Sequence, residues 1–126
     1  MRATDVDRFV GMDYSSKEFD CCDFVVLVER ELFGREVTLP NGRPRGGKGV
    51  LALGGLSQSY ARPTANPTDG DLVLMRDGPG WHAGVYVHLA HEPYVLHCRA
   101  EGGGHSVAQR LREVPLRIEG FYKWLD

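Results

Sequence analysis

Phe19-Asp20-Cys21-Cys22-Asp23-Phe24-Val25 reads as the start of a helix with a thiol in its first turn. Asp20 suits the N-cap, where its carboxylate accepts from an amide that has no partner inside the helix. Phe24, Leu27, Val28 and Leu32 follow at three- and four-residue spacings, one apolar face of an amphipathic helix. Phe33-Gly34 supplies a stop, with glycine free to take the left-handed cap. Cys21 is thereby expected at the positive end of a helix dipole, which favours the thiolate, the reactive form of the side chain. A thiol there is a candidate nucleophile if the rest of the chain brings a base to it.

On the N-terminal side, residues 1–18 are polar and irregular, with a short helical turn expected around Val6 to Val10 and a bend at Gly11-Met12-Asp13-Tyr14. On the other side, Val37 to Gly47 is dense in Pro, Gly and Asn and reads as loop. Residues 48–60 have a helix-like pattern interrupted by Gly54-Gly55, and Arg62 to Gly70 reads as connection. From Asp71 the period changes to that of strands. Asp71–Arg76, Trp81–His88, Tyr94–Cys98, His105–Leu111 and Arg117–Trp124 are five strand candidates separated by turn residues. Helices followed by consecutive strands with short connections predict a single α+β domain over residues 1–126, with a mostly antiparallel sheet of about five strands.

Alternation along the second strand sets His82, Gly84 and Tyr86 on one face and Ala83, Val85 and Val87 on the other. In the third, Val95 and His97 share a face. If the thiol helix packs on this sheet, His82 and His97 reach Cys21 from neighbouring strands, with Gly84 leaving room beside His82 for the helix end or a substrate. A thiolate, a base and a group that orients the base are what nucleophilic thiol catalysis requires. Cys21 is then the nucleophile, His82 its base and acid, and His97 the orienting group, with first-turn amides near Cys21 and Cys22 as oxyanion donors.

Composition narrows the alternatives. Hydrophobic residues make up 42% and charged residues 25% of the 126, an ordinary globular balance. A net charge of −2 argues against nucleic acid as a partner. The longest apolar run, Phe24 to Val28, is too short to insert in a membrane. The charged N-terminus has no apolar core of a secretory signal, so synthesis in the cytoplasm is expected. Three cysteines do not suit a disulfide framework, and all are expected reduced, with Cys22 and Cys98 structural. Cys21, Cys22, His82 and His97 are zinc-type ligands, but adjacent cysteines point to different sides of a helix and there is no Cys-x-x-Cys, so no metal is expected. His88, His91 and His105 sit near turns and are expected in solvent, as is the basic cluster Arg43 to Lys48.

The same residues resemble the NlpC-type cysteine peptidases. Phe19-Asp20-Cys21 with Phe24-Val25 is similar to that family's Asp-Cys-x-Gly-Leu-Val, and Asp69-Gly70-Asp71-Leu72-Val73 to its Pro-Gly-Asp-Leu-Val. His82-Ala83-Gly84-Val85-Tyr86 resembles its His-Val-Gly-Ile-Tyr strand. Tyr94-Val95-Leu96-His97 resembles the strand carrying the third polar residue, and Gly120-Phe121-Tyr122-Lys123 the closing Gly-Tyr-Tyr-Arg. The match covers roughly residues 11–126 in the family's order. It implies a papain-like fold, a Cys-His-His site at Cys21, His82 and His97, and no cofactor. It also implies hydrolysis of peptide bonds in peptidoglycan stem peptides, typically between D-glutamate and diaminopimelate. Tyr14, Asp20 and Gly84 fall on the substrate side. The Glu31-Leu32-Phe33-Gly34 and Leu39-Pro40 run looks most like the phage tail-tip branch, whose enzymes travel in the virion tail or reach the periplasm and cell wall with other tail-tip proteins as partners. The chain departs from the family pattern at Asp23, where the family has Gly, at Cys22, and at Tyr14-Ser15-Ser16, where only the Tyr of a longer aromatic motif carries over. Readings on the same fold are a tail-tip assembly protein with a dispensable site, a type VI antibacterial amidase effector and a thiol acyltransferase.

Overall fold

The computed structural model describes residues 1–15, 18–37, 39, 60–78, 80–100 and 104–125. The chain is α+β: two N-terminal helices pack on a six-stranded antiparallel sheet. Helix α1 is Ala3–Val6, continued by a 3-10 turn at Asp7–Phe9, and α2 is Cys21–Phe33. The strands are β1 Ala61–Thr64, β2 Leu72–Asp77, β3 Gly80–Leu89, β4 Glu92–Cys98, β5 Ser106–Arg110 and β6 Arg117–Trp124. Their order across the sheet is β1-β6-β2-β3-β4-β5. The loop and helix expected over residues 38–59 lie outside the described residues, apart from Leu39.

Helix α2 has the ends its sequence predicts. Asp20 Oδ1 accepts from the amides of Cys22 (3.0 Å) and Asp23 (3.1 Å), and Asp23 Oδ2 accepts from the amide of Asp20 (3.0 Å). This reciprocal box satisfies donors at both sides of the cap. At the other end Gly34 takes the left-handed conformation at φ 63°, and the Arg35 amide closes on the Glu29 carbonyl at 2.9 Å. The buried stripe is rotated from the expected one. Cys21, Phe24, Val25 and Val28 are buried, Leu27 and Leu32 only half-buried, and Glu29 is fully buried. Each fully buried Phe or Val contributes about 1.5–3 kcal/mol of transfer free energy.

A sixth strand, β1, corrects the expectation of about five. Its residues Ala61-Arg62-Pro63-Thr64 have no apolar alternation, which is why they read as connection. An edge strand is held by one backbone ladder, here Ala61↔Trp124 to Thr64↔Phe121 on β6, and proline is tolerated on such an edge.

The sheet is apolar on both faces. Leu72, Leu74, Ala83, Val85, Val87, Leu96 and Cys98 pack with the α2 stripe and with Val6 and Phe9. Val73, Met75, Tyr86 and Val95 form a second cluster on the other face, covered by Leu111, Val114, Leu116, Ile118 and Phe121. The segment before α2 is stitched to the start of β5. Ser106 exchanges backbone bonds with Gly11 (2.9 Å) and Met12 (2.8 Å), its hydroxyl donates to the Phe9 carbonyl at 2.5 Å, and Tyr14 donates to the Gly104 carbonyl at 2.8 Å. Ser15 and Phe19 then close a tight loop with two backbone bonds, delivering the chain to Asp20. The far end of the helix is held too. Gly70, at φ 94°, lies against the Phe33 ring, where an added Cβ would approach it to 3.3 Å. Next to it Asp71 pairs with Lys123 at 2.8 Å, joining the start of β2 to the end of β6.

Candidate active site

Cys21, His82 and His97, far apart in sequence, come together. All three are buried, at 8%, 3% and 1% exposure. His82 Nε2 and His97 Nδ1 lie 2.9 Å apart, their rings nearly perpendicular. On its far side His97 Nε2 lies 3.0 Å from Gln109 Oε1 of β5. The His82–Nε2 contact leaves Nδ1 as the nitrogen available to Cys21.

The route by which the histidines reach the thiol differs from the simplest expectation. Met75 pairs with His82 across β2 and β3, so His82 shares a face with Met75, Gly84 and Tyr86, opposite the face that α2 covers. The β3–β4 ladder is registered only from Val85↔Leu96 to Leu89↔Glu92, and His82, Ala83 and His97 lie beyond its end. The helix N-terminus sits at this open end. There Cys21 is acted on by His82 and also by the backbone N–H of Ala83.

The Cys21 thiol is held well below its ordinary value of 9.0. The largest cause is a hydrogen bond from Cys22, whose Sγ is 4.0 Å away. Burial opposes it, and the charge and hydrogen bond of His82 and the Ala83 N–H add to the lowering. His97 is pushed down to about 4, chiefly by burial and then by the nearby positive charges of His82 and Arg99, against the hydrogen bond that its ring donates to Gln109 Oε1, which favours its protonated form. It is therefore neutral at physiological pH. Cys98 is the contrast within the site. Its thiol contacts the Met12 carbonyl at 3.7 Å, and burial, with Cys21 and Asp13 nearby, pushes it up to about 11. All three cysteines are unbridged.

The residues expected on the substrate side divide. Tyr14 is half-buried, with its ring against the helix-side core. Asp20 is buried at 2% exposure, with Oδ1 engaged in the helix cap. The room beside Gly84 is taken by protein rather than open to a ligand: an added Cβ would meet Val95 Cγ2 at 2.5 Å, the Leu96 carbonyl at 3.0 Å and Met75 Cε at 3.1 Å. Gly84 thus permits close packing on the second face. Gln109 was not singled out by sequence reasoning. The available signal was its place in Ser106-Val107-Ala108-Gln109, where alternation sets a polar side chain on the face shared by Val95 and His97.

His88 and His91 are exposed and lie at the β3–β4 turn, away from the site, where with Met1, Arg2, Ala3 and Ala90 they line a shallow cavity of about 490 Å³. Among the described residues no three His, Cys, Asp or Glu side chains are arranged to hold a metal ion, and no helix is long and apolar enough to cross a membrane. No protein-family model matches the chain, and no curated protein shows significant sequence similarity to it.

Proposed function

We propose that the chain is a cysteine peptidase of the NlpC type, with a papain-like fold, that hydrolyses peptide bonds in peptidoglycan stem peptides. The D-glutamate–diaminopimelate bond is the favoured target, and a phage tail tip or prophage-derived device the favoured carrier. The observation that carries the reading is the chain of contacts from Cys21 through His82 to His97 at the N-terminus of a capped helix. Reaction class rests on this geometry. Substrate and carrier rest on the motif resemblance.

In the proposed reaction the Cys21 thiolate attacks the scissile carbonyl, forming a C–S bond. The tetrahedral oxyanion falls to the amide of Cys21 itself, because those of Cys22 and Asp23 are committed to Asp20. His82 delivers its Nδ1 proton to the leaving amine as the C–N bond breaks. Water then attacks the thioester and gives a proton to His82; the C–S bond breaks, the acid is released, and Cys21 leaves as the thiolate, which restores the ion pair with protonated His82. Asp23 is accommodated because its carboxylate faces the helix cap, a favourable place for negative charge.

The test is digestion of purified peptidoglycan by the native chain beside Cys21→Ala, with mass analysis of released fragments. Release by the native chain and loss of at least ~10³-fold in the variant is expected for removal of a nucleophile. Equal release by both would remove Cys21 from the mechanism. No release by either, with tail assembly failing in its absence, would favour the structural tail-tip reading.

A further inference from the structure

We propose that Gln109 is a positioning residue: its side-chain amide fixes the tautomer of His97 and so decides which nitrogen of His82 is free to take the proton of Cys21. The inference rests on the thiol-peptidase reading of this site and adds a fourth member to it.

The argument is one of donors and acceptors. Gln109 Nε2 donates to the Glu113 carbonyl at 3.4 Å, a group that only accepts. The amide is thereby oriented with Oε1 toward His97 Nε2, at 3.0 Å. An amide oxygen only accepts, so His97 Nε2 carries the hydrogen. Neutral His97 then presents a lone pair at Nδ1, and His82 Nε2, 2.9 Å away, must donate to it. The free lone pair of His82 is left at Nδ1, on the thiol side. When the Sγ–H bond of Cys21 breaks, its proton moves to that nitrogen. The resulting imidazolium donates at both ends, to the thiolate and to His97.

The opposite tautomer of His97 would set N–H against the N–H of that imidazolium. Only the tautomer that Gln109 selects lets His82 carry the positive charge of the ion pair. Register places the residue for this task. Val95↔Gln109 and His97↔Val107 are opposed on β4 and β5, so Gln109 is the diagonal neighbour of His97 on one face. The short turn at Leu111–Glu113 supplies the carbonyl that holds it. Among the described residues, the charged and titratable groups around the pair are Cys21 and Cys22 from α2, Arg99 after β4, Cys98 on β4 and, beside Cys98, Asp13.

The experiment does not use cell wall, so it stands apart from the digestion above. Alkylation of Cys21 by iodoacetamide is followed against pH in the native chain, Gln109→Leu and Gln109→Glu, with the modified site mapped by mass spectrometry. In parallel, ¹⁵N NMR of the native chain reads which nitrogen of His97 is protonated. The expected result is neutral His97 protonated at Nε2. Gln109→Leu is expected to move the alkylation profile to higher pH and slow the reaction about tenfold near neutrality, the scale of one hydrogen bond to a charged network. Gln109→Glu, which keeps an acceptor, is expected to hold the native rate within about threefold by the same scale. A residue that merely packs would change thermal stability and leave the pH profile in place. Superimposed profiles for native and Gln109→Leu, or His97 protonated at Nδ1, would overturn the proposal. If Gln109→Leu fails to fold, the NMR result and the Gln109→Glu profile decide it.

Discussion

Cys21 and Glu29 are buried acids on one helix, about two turns apart, and the protein treats them in opposite ways. Burial penalises the charged form of each. At Cys21 that penalty is outweighed by a donor from Cys22, by the charge and hydrogen bond of His82, and by the Ala83 amide, and the thiol falls well below 9.0. Glu29 is fully buried, and its compensation is weak: the half-exposed Arg35 comes no nearer than 3.8 Å, and the nearby Trp124 indole N–H is given to the Gly70 carbonyl. Burial wins, helped by the negative charge of Asp71, and the carboxyl is pushed up to about 8. Depth alone therefore does not decide the charge state of a buried acid. The number and aim of the donors around it do.

The largest effect that would break this comparison is at Glu29. Its folded value lies above its ordinary 4.5, so the folded state binds the proton more tightly than the unfolded state does. Stability is full below about 4.5, falls as pH rises from there to about 8, and is level above that. Over that window thermal or denaturant unfolding should show a loss on the order of 5 kcal/mol in the native chain. Glu29→Gln, a neutral isostere, should remove that slope. Parallel curves for the two proteins would mean that the carboxylate finds better partners than Arg35.

The second effect concerns the other acid. His82→Ala removes the positive charge and the hydrogen bond that face Cys21, leaving burial less opposed. Loss of an adjacent opposite charge moves a pKa by 1–3 units, so alkylation of Cys21 near pH 6 should slow by about 100-fold. The thiol would then resemble Cys98 of the same core. A rate unchanged at that pH would mean that Cys22 and Ala83 hold the thiolate without the histidine.

How much of this was legible in the chain differs between the two positions. Asp20, Gly34 and the apolar spacing between them mark the helix and the place of Cys21, because caps and periodicity are local. His82 and His97 could be paired from strand alternation, which is local too. The face on which α2 packs was not legible, since Val73, Met75, Tyr86 and Val95 are as apolar as Leu72, Leu74, Val85 and Leu96. Nor was Glu29: between Val28 and Arg30 a glutamate reads as a solvated position, and the Trp124 and Asp71 that act on it are far away in sequence. Gln109 and β1 were missed because one acts through a diagonal contact and the other through a backbone ladder, and neither leaves an apolar pattern.

A smaller change sharpens the comparison at Cys21. The Cys22 hydrogen bond is the largest single cause of the lowered thiol. Cys22→Ala keeps the helix and removes that donor, along with the core packing of one small side chain. The expected loss is about tenfold in alkylation rate at pH 6, with His82 still in place, on the scale of one hydrogen bond to a charged group. The double variant with His82→Ala should lose less than the product of the two single effects if both donors serve the same thiolate, and that coupling is what the cycle measures.

The smallest effect tests whether the helix itself, rather than what surrounds each acid, sets the difference. Gly34 ends α2 at φ 63°, where an added Cβ meets nothing within 4 Å. Gly34→Ala therefore introduces no clash and carries only the conformational cost of a left-handed alanine, about 1 kcal/mol. The cost falls on the cap, next to Arg35 and one turn from Glu29, and far from Cys21. If local donors control both acids, unfolding free energy should drop by that amount while the alkylation profile of Cys21 stays where it is and the stability slope between pH 4.5 and 8 is retained. A shift of the Cys21 profile in this variant would instead tie the thiolate to the integrity of the whole helix. The dipole would then carry a share of the lowering assigned here to Cys22, His82 and Ala83.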